Sequence, residues 1–236
     1  MVEKKQLPTV MGYMLRYVET FMKTADLIRN DVIGTPITFS STVYVSQLFR
    51  RGKGWRYDPA KSGGGVIAAQ ATHLIDLLHW YFGEVASVSG HTRSWYSQKV
   101  EDFAHAHLTF SSGVTGWLDS TWSKRHHRLM QVTIDINGEH GSLLVTNDKL
   151  KLFLDAPRAG YRKGWTTWYL PDLFEGVEID LGGPEYTRQD KELTTAIENG
   201  RMPENDVRSG FKVQQIVDAV YASAAEKGAP MCPADC

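Results

Sequence analysis

Cysteine is almost absent from this chain of 236 residues: there are two, Cys232 and Cys236, both in the terminal CPADC. Two thiols at one end cannot staple a fold together. A frayed tail is expected there, with a weak metal site or a redox pair as the alternatives. No apolar run approaches the ~20 residues that cross a bilayer. After Lys4 and Lys5 the apolar stretch covers only residues 10–15, too short for a secretory signal, so a cytoplasmic location is expected. Neither charge sign dominates. The 26 Lys and Arg against 27 Asp and Glu leave a formal net charge of −1, which argues against a general pull toward nucleic acid or acidic membranes. A dinucleotide-binding Gly-x-Gly-x-x-Gly turn is also missing. The glycines at 63, 64 and 65 follow no strand and lack that spacing, so they are not read as a phosphate loop.

What is present reads as one α+β domain. Residues 8–13 suggest a short strand, with a proline at its start. Residues 18–29 have helical spacing, with Phe21, Ala25 and Ile28 on one stripe. Residues 37–45 alternate as a half-buried strand, Ile37, Phe39, Val43 and Val45 on one side. Residues 50–65 form a basic, glycine-rich loop, RRGKGWRYDPAKSGGG, of a length that is usually functional or mobile. A helix is expected over 66–82, closed by Gly83. Strands then follow at 86–96, 102–110, 114–122, 129–136, 142–146 and 149–154, with Asn137-Gly138 as the strongest hairpin signal. Successive strands joined by short turns imply an antiparallel meander. Residues 156–184 read as irregular. Helices are expected over 187–198 and from Asp206, the latter with Phe211, Val213, Ile216, Val217, Val220 and Ala224 on its apolar face.

The densest signal is SGGGVIAAQATHLIDLLHWYFG at 62–83. A glycine triplet opens a helix carrying His73 and Asp76 three residues apart, so both project from one side. The alternative for a bare His-x-x-Asp is a hydrogen-bonded structural histidine. Near the end, Pro203, Asp206, Gly210, Ile216, Ala219, Tyr221 and Ser223 form a closing helix pattern. Together these segments resemble the C-terminal half of the glucose-fructose oxidoreductase / inositol dehydrogenase / rhizopine-catabolism family (Gfo/Idh/MocA), whose members are NAD(P)-dependent dehydrogenases of sugars and polyols. The resemblance covers residues 10–231.

The resemblance implies an open, mainly antiparallel sheet with helices on one face and an oligomer interface on the other. Apolar residues on both alternations, such as Phe103 against Ala104, Ala106, Leu108 and Phe110, and Trp117 against Trp122, also favour a homo-oligomer through the sheet. The implied roles are His73 as the proton-handling catalytic residue and Asp76 as its support. Arg16, Trp55, Arg56 and Gln70 would line the substrate pocket. An arginine there can fork onto a carboxylate or phosphate, and a tryptophan can stack on a sugar ring. Two departures stand out. Many members carry Asp or Asn four residues before the histidine, and this chain has Ala69. The family's nucleotide-binding (Rossmann) domain, with its Glu-Lys-Pro segment, has no counterpart here; the Glu3-Lys4 pair is followed by Lys5.

Residues 1–17 are accordingly read as a remnant of the last nucleotide-domain strand and linker, 18–231 as the family's C-terminal domain, and 232–236 as a tail. The expected function is that of the substrate-binding and oligomerisation half of a dehydrogenase, not redox-active alone. NAD or NADP is implied for the family, none held by this chain, and no metal is expected. One alternative is a subunit working with a separate Rossmann-domain partner docked along residues 8–13. The other is a non-catalytic sugar-binding or assembly module. Lys124 to Arg128 (KRHHR) read as a solvated strand end. His105 and His107 share a strand face and could bind a metal, but no carboxylate or cysteine lies at a matching position nearby in sequence.

Overall fold

A computed structural model describes residues 5–236; the Glu3-Lys4 pair lies outside the described residues. Eight strands form one sheet in the order β2-β3-β4-β1-β5-β6-β7-β8. They are β1 (Pro36–Tyr44), β2 (Val85–Arg93), β3 (Phe103–Phe110), β4 (Thr115–Thr121), β5 (Gln131–Gly138), β6 (Gly141–Thr146), β7 (Lys149–Leu154) and β8 (Gly164–Tyr169). Every neighbouring pair is antiparallel except β1 and β4, which run parallel at the centre with Phe39 opposite Gly116. That single parallel contact follows from the crossover after β1, which carries the chain through the signature helix to the far edge before the meander returns.

The helices are α1 (Glu19–Arg29), α2 (Pro59–Ser62), α3 (Thr72–Phe82), α4 (Leu170–Leu173), α5 (Pro184–Glu198) and α6 (Val207–Ala225). Helix α6 lies against β2 and α3, and α1 covers β6 and β7. Alternate strand residues supply the core beneath them: Phe39, Val43, Ala104, Ala106, Leu108, Phe110, Leu118, Ile134, Val145 and Leu152 are all buried. The opposite alternation is uncovered. Trp117 is 59% and Trp165 is 49% exposed there, and Trp122, on the other alternation, is buried.

Several local expectations change. Residues 8–13 form no strand. Backbone Met11 donates to the Asn205 carbonyl at 2.8 Å, the Asn205 side chain donates back to Met11 at 2.9 Å, and Thr9 caps the Val207 amide at 3.1 Å. The segment is thus bonded to the turn before α6 and runs as no strand of the sheet. The β5–β6 turn falls on Glu139 and His140, one step beyond Asn137-Gly138. Gly138 is the last residue of β5, where a Cβ would lie 2.5 Å from the Ile33 carbonyl oxygen. Leu129 lies in a loop, and β5 starts at Gln131. Residues 156–184 contain β8, which extends the sheet edge by pairing Trp165 with Phe153. Ile37 and Phe211, expected on buried faces, are exposed. The C-terminal end is docked, with Met231 bridged to Val88 and Pro233 buried; Cys232 and Cys236 are free and exposed. Among the described residues no helix is long and apolar enough to cross a membrane.

Candidate functional site

The glycine triplet has a packing reason. Gly63 ends α2 in the left-handed region at φ +75°, a conformation that costs other residues about 1–2 kcal/mol. A Cβ on Gly65 would sit 1.9 Å from the Glu101 backbone oxygen, and one on Gly64 would sit 2.0 Å from the Tyr221 hydroxyl. The close approach lets the buried Glu101 carboxylate accept from Gly65 N at 2.9 Å to each oxygen, from Ile67 N at 3.0 Å and from the Tyr221 hydroxyl at 2.8 Å. The Glu101 carbonyl takes Val66 N at 2.9 Å. The first amides of the signature helix therefore meet a carboxylate, which also complements the positive end of the helix dipole. Glu101 carried no signal in the sequence, since its role depends on a contact across 36 positions.

The helix then opens into a π-turn over Ile67–Ala71 before α3. Such turns mark functional sites because they re-aim side chains relative to a regular helix. This one carries Ala69 and Gln70 one turn before His73. All three line a cleft of about 530 Å³ together with Trp55, Arg56 and Tyr57 from the preceding loop, Gln47, Trp122, and Arg128, Leu129 and Met130 from the β4–β5 loop. The structure brings His73, Gln70, Trp55 and Arg56, the residues singled out in the sequence, to one cleft. Sequence reasoning missed Gln47 and Arg128. The KRHHR run, read as a solvated strand end, is a loop with Lys124, Arg125, His126 and Arg128 exposed, and its end, Arg128 to Met130, borders the cleft.

His73 is half-buried, and its ring meets Tyr13 edge-on at 5.8 Å. Burial pushes the imidazole below its ordinary 6.5, so it stays neutral near pH 7. Tyr13 is pushed up to about 12, first by burial and then by the Asp76 charge, with Arg16 opposing. Neither His73 Nδ1 nor Gln70 Nε2 has a hydrogen-bond partner among the described residues, and both atoms are buried. Buried polar atoms left unpaired are uncommon and ask for an explanation.

Asp76 and Arg16 pair with each other. The Asp76 carboxylate is fully buried and takes a two-pronged bond from Arg16, at 2.7 Å to each oxygen. Burial raises the Asp76 carboxyl, and the Arg16 fork opposes that rise. Neither residue lines the His73 cleft; Arg16 borders a separate hollow of about 210 Å³ with Trp80 and Glu204. The pair fastens the Met14–Tyr17 turn to α3, so it positions the wall behind His73 rather than orienting the ring.

The open sheet face brings His105 within 3.2 Å of Asp119, a carboxylate that cross-strand register supplies and linear distance hides. His107 instead meets Thr115 at 2.9 Å. Among the described residues no three His, Cys, Asp or Glu side chains converge as metal ligands.

The fold is shared with solved proteins. A levoglucosan dehydrogenase in complex with NADH and L-sorbose superposes with a TM-score of 0.86, 21% identity, and coverage of 98% of this chain and 67% of that one. In sequence, the chain is 25% identical to D-apiose dehydrogenase of Paraburkholderia graminis over 95% of its own length and 59% of the relative's. It is 23% identical to levoglucosan dehydrogenase of Pseudarthrobacter phenanthrenivorans over 73% of its length and 53% of that protein's. The chain thus spans a little over half the length of these two relatives. Residues 21–144 match the model of the GFO/IDH/MocA C-terminal domain. With just over half of its residues inside that match, the chain belongs to the GFO/IDH/MocA family through the family's C-terminal domain.

Proposed function

We propose that this chain is the substrate-binding and oligomerisation half of an NAD(P)-dependent sugar or polyol dehydrogenase, with His73 handling the proton of a substrate hydroxyl. One observation carries the reading. A desolvated imidazole and a Gln70 amide, each with an unpaired buried nitrogen, line a single cleft beside Trp55, Arg56 and Tyr57. A neutral imidazole is the form that accepts a proton, and burial favours it. Indole and phenol faces suit the C–H faces of a sugar ring. The solved levoglucosan dehydrogenase in complex with NADH and L-sorbose supports the same substrate class.

Nicotinamide, when bound, supplies the hydride chemistry. The amides that open the signature helix are committed to Glu101, so that helix does not fit a dinucleotide phosphate, and no hydride step is assigned to residues of this chain. Activity of the chain alone is not part of the proposal. Residues 8–13 are not a strand, and Met11 bonds to Asn205, so the alternative of a separate Rossmann-domain partner does not draw support from an open strand edge there. Ala69, a methyl group in the cleft, favours a second reading, a sugar-binding module without redox function. The proposal also includes a cytoplasmic location and a homo-oligomer through the open sheet face.

Calorimetric titration with neutral sugars and polyols tests the reading. Binding that weakens in His73→Ala supports it. Binding of every such ligand that is the same in His73→Ala contradicts the site assignment. Saturable binding of NADH alone at micromolar concentration contradicts the absence of a cofactor site in this chain.

A further inference from the structure

The His73 cleft has a neighbour. A second cleft of about 560 Å³ shares Gln47 and Tyr57 with it and is bordered by Arg50, Arg51 and Lys53. Arg56 and Arg128 line the first cleft. The two linings together contain five cationic side chains and no Asp or Glu. None of the five is in a salt bridge among the described residues. Like charges gathered in a concave surface without counter-charges raise the local potential and concentrate anions.

The loop that carries these charges is folded onto the protein. Leu48 is buried, and its carbonyl accepts from the Ser123 hydroxyl at 2.6 Å. Tyr57 stacks on the buried Trp122 at 5.9 Å. Gly52 packs so close to Tyr57 that a Cβ would lie 2.5 Å from its ring. Arg125 lies over the Phe49 ring at 4.7 Å. The cations are thus presented from an anchored loop whose cleft shares Gln47 and Tyr57 with the His73 cleft, and in that neighbouring cleft the nine-tenths-buried Gln70 has its amide nitrogen unpaired.

We propose that the sugar or polyol taken by this cleft carries an acidic group, a carboxylate or a phosphate, seated among Arg50, Arg51 and Lys53 while its hydroxyls reach Gln70 and His73. This rests on the reading of the His73 cleft as the substrate site. Guanidinium groups bind both kinds of anion through forked, charge-assisted bonds. The ligand arms therefore separate the two sources.

The test is calorimetry of the full chain with glucose, glucuronate, glucose 6-phosphate and inorganic phosphate, at low salt and at high salt. The proteins are wild type, the triple variant R50Q/R51Q/K53Q, and His73→Ala. The acidic sugars are expected to bind about tenfold or more tightly than glucose at low salt, a preference that salt reduces. The triple variant is expected to lose that preference and keep the glucose affinity, and His73→Ala to weaken all three sugars. Whichever of glucuronate and glucose 6-phosphate binds more tightly identifies the acidic group. Equal affinity for glucose and both acidic sugars, unchanged in the triple variant, overturns the anion proposal and leaves the His73 cleft standing. Inorganic phosphate binding as well as glucose 6-phosphate, with His73→Ala without effect, overturns it too, because the loop would then be a free anion site. No sugar binding in any arm overturns both readings.

Discussion

Asp76 and Arg16 form an ion pair almost out of contact with water, at 0% and 6% side-chain exposure. Removing one partner of such a pair strands a buried charge, which costs about 3–5 kcal/mol, whereas replacing both with apolar groups costs far less. Asp76→Asn and Arg16→Met are each expected to lower stability by that amount in urea unfolding, and the double variant Asp76→Leu/Arg16→Met by clearly less than their sum. A full additive loss would mean that the pair is not the unit described here. His73 carries a pH signature. Its folded pKa lies below the ordinary 6.5 because burial penalises the cation, so the unfolded chain binds the proton more readily. The linked stability is fully present above about 6.5 and is lost as the pH falls through the folded value. The stability difference between wild type and His73→Phe should therefore change between pH 7 and pH 5, with wild type losing more. Parallel pH profiles would contradict a buried neutral imidazole. His73, Gln70, Trp55 and Arg56 were legible in the sequence because they lie close together along the chain. The roles of Asp76 and Arg16 were not, since their partnership spans 60 positions and nothing in the linear pattern distinguishes a pocket arginine from a buried one.

At the scale of elements, the signature helix depends on the approach of its glycines to Glu101. Gly65→Ala drives a methyl group into the Glu101 backbone oxygen at 1.9 Å, and backbone cannot swing aside. It is expected to destabilise by more than Gly63→Ala, whose cost is that of the left-handed conformation, about 1–2 kcal/mol. Thermal unfolding of the two variants ranks them; equal losses would remove the close-approach explanation for the triplet. Glu101→Ala should strand the Gly65 and Ile67 amides and weaken substrate binding through the helix end. Periodicity located α1, α3, α6 and most of the strands because each has one buried face. It failed at residues 8–13, where the segment bonds to Asn205 and Val207 instead of to a sheet. It failed again at 164–169, where an edge strand rich in Thr and Trp lacks the buried alternation that makes a strand readable.

At the scale of the whole molecule, the sheet has one face under helices and one without cover. The open face carries Trp117 and Trp165 exposed, with Phe153 ring-to-ring with Trp165 at 5.1 Å. Exposed aromatics on a long sheet are unusual for a free surface and fit a self-complementary interface. Light scattering behind gel filtration should give the mass of an oligomer for the wild-type chain and a shift toward monomer for Trp117→Lys. A wild-type chain that is monomeric at every concentration contradicts the interface. The central claim, however, is the His73 cleft, and the most direct measurement is NMR of the His73 imidazole, titrated with pH and with a sugar. The expected result is a pKa below 6.5 and ring signals that move on saturation with the ligand. A ring that titrates at or above 6.5 and is unmoved by every sugar and polyol, acidic or neutral, would contradict the account.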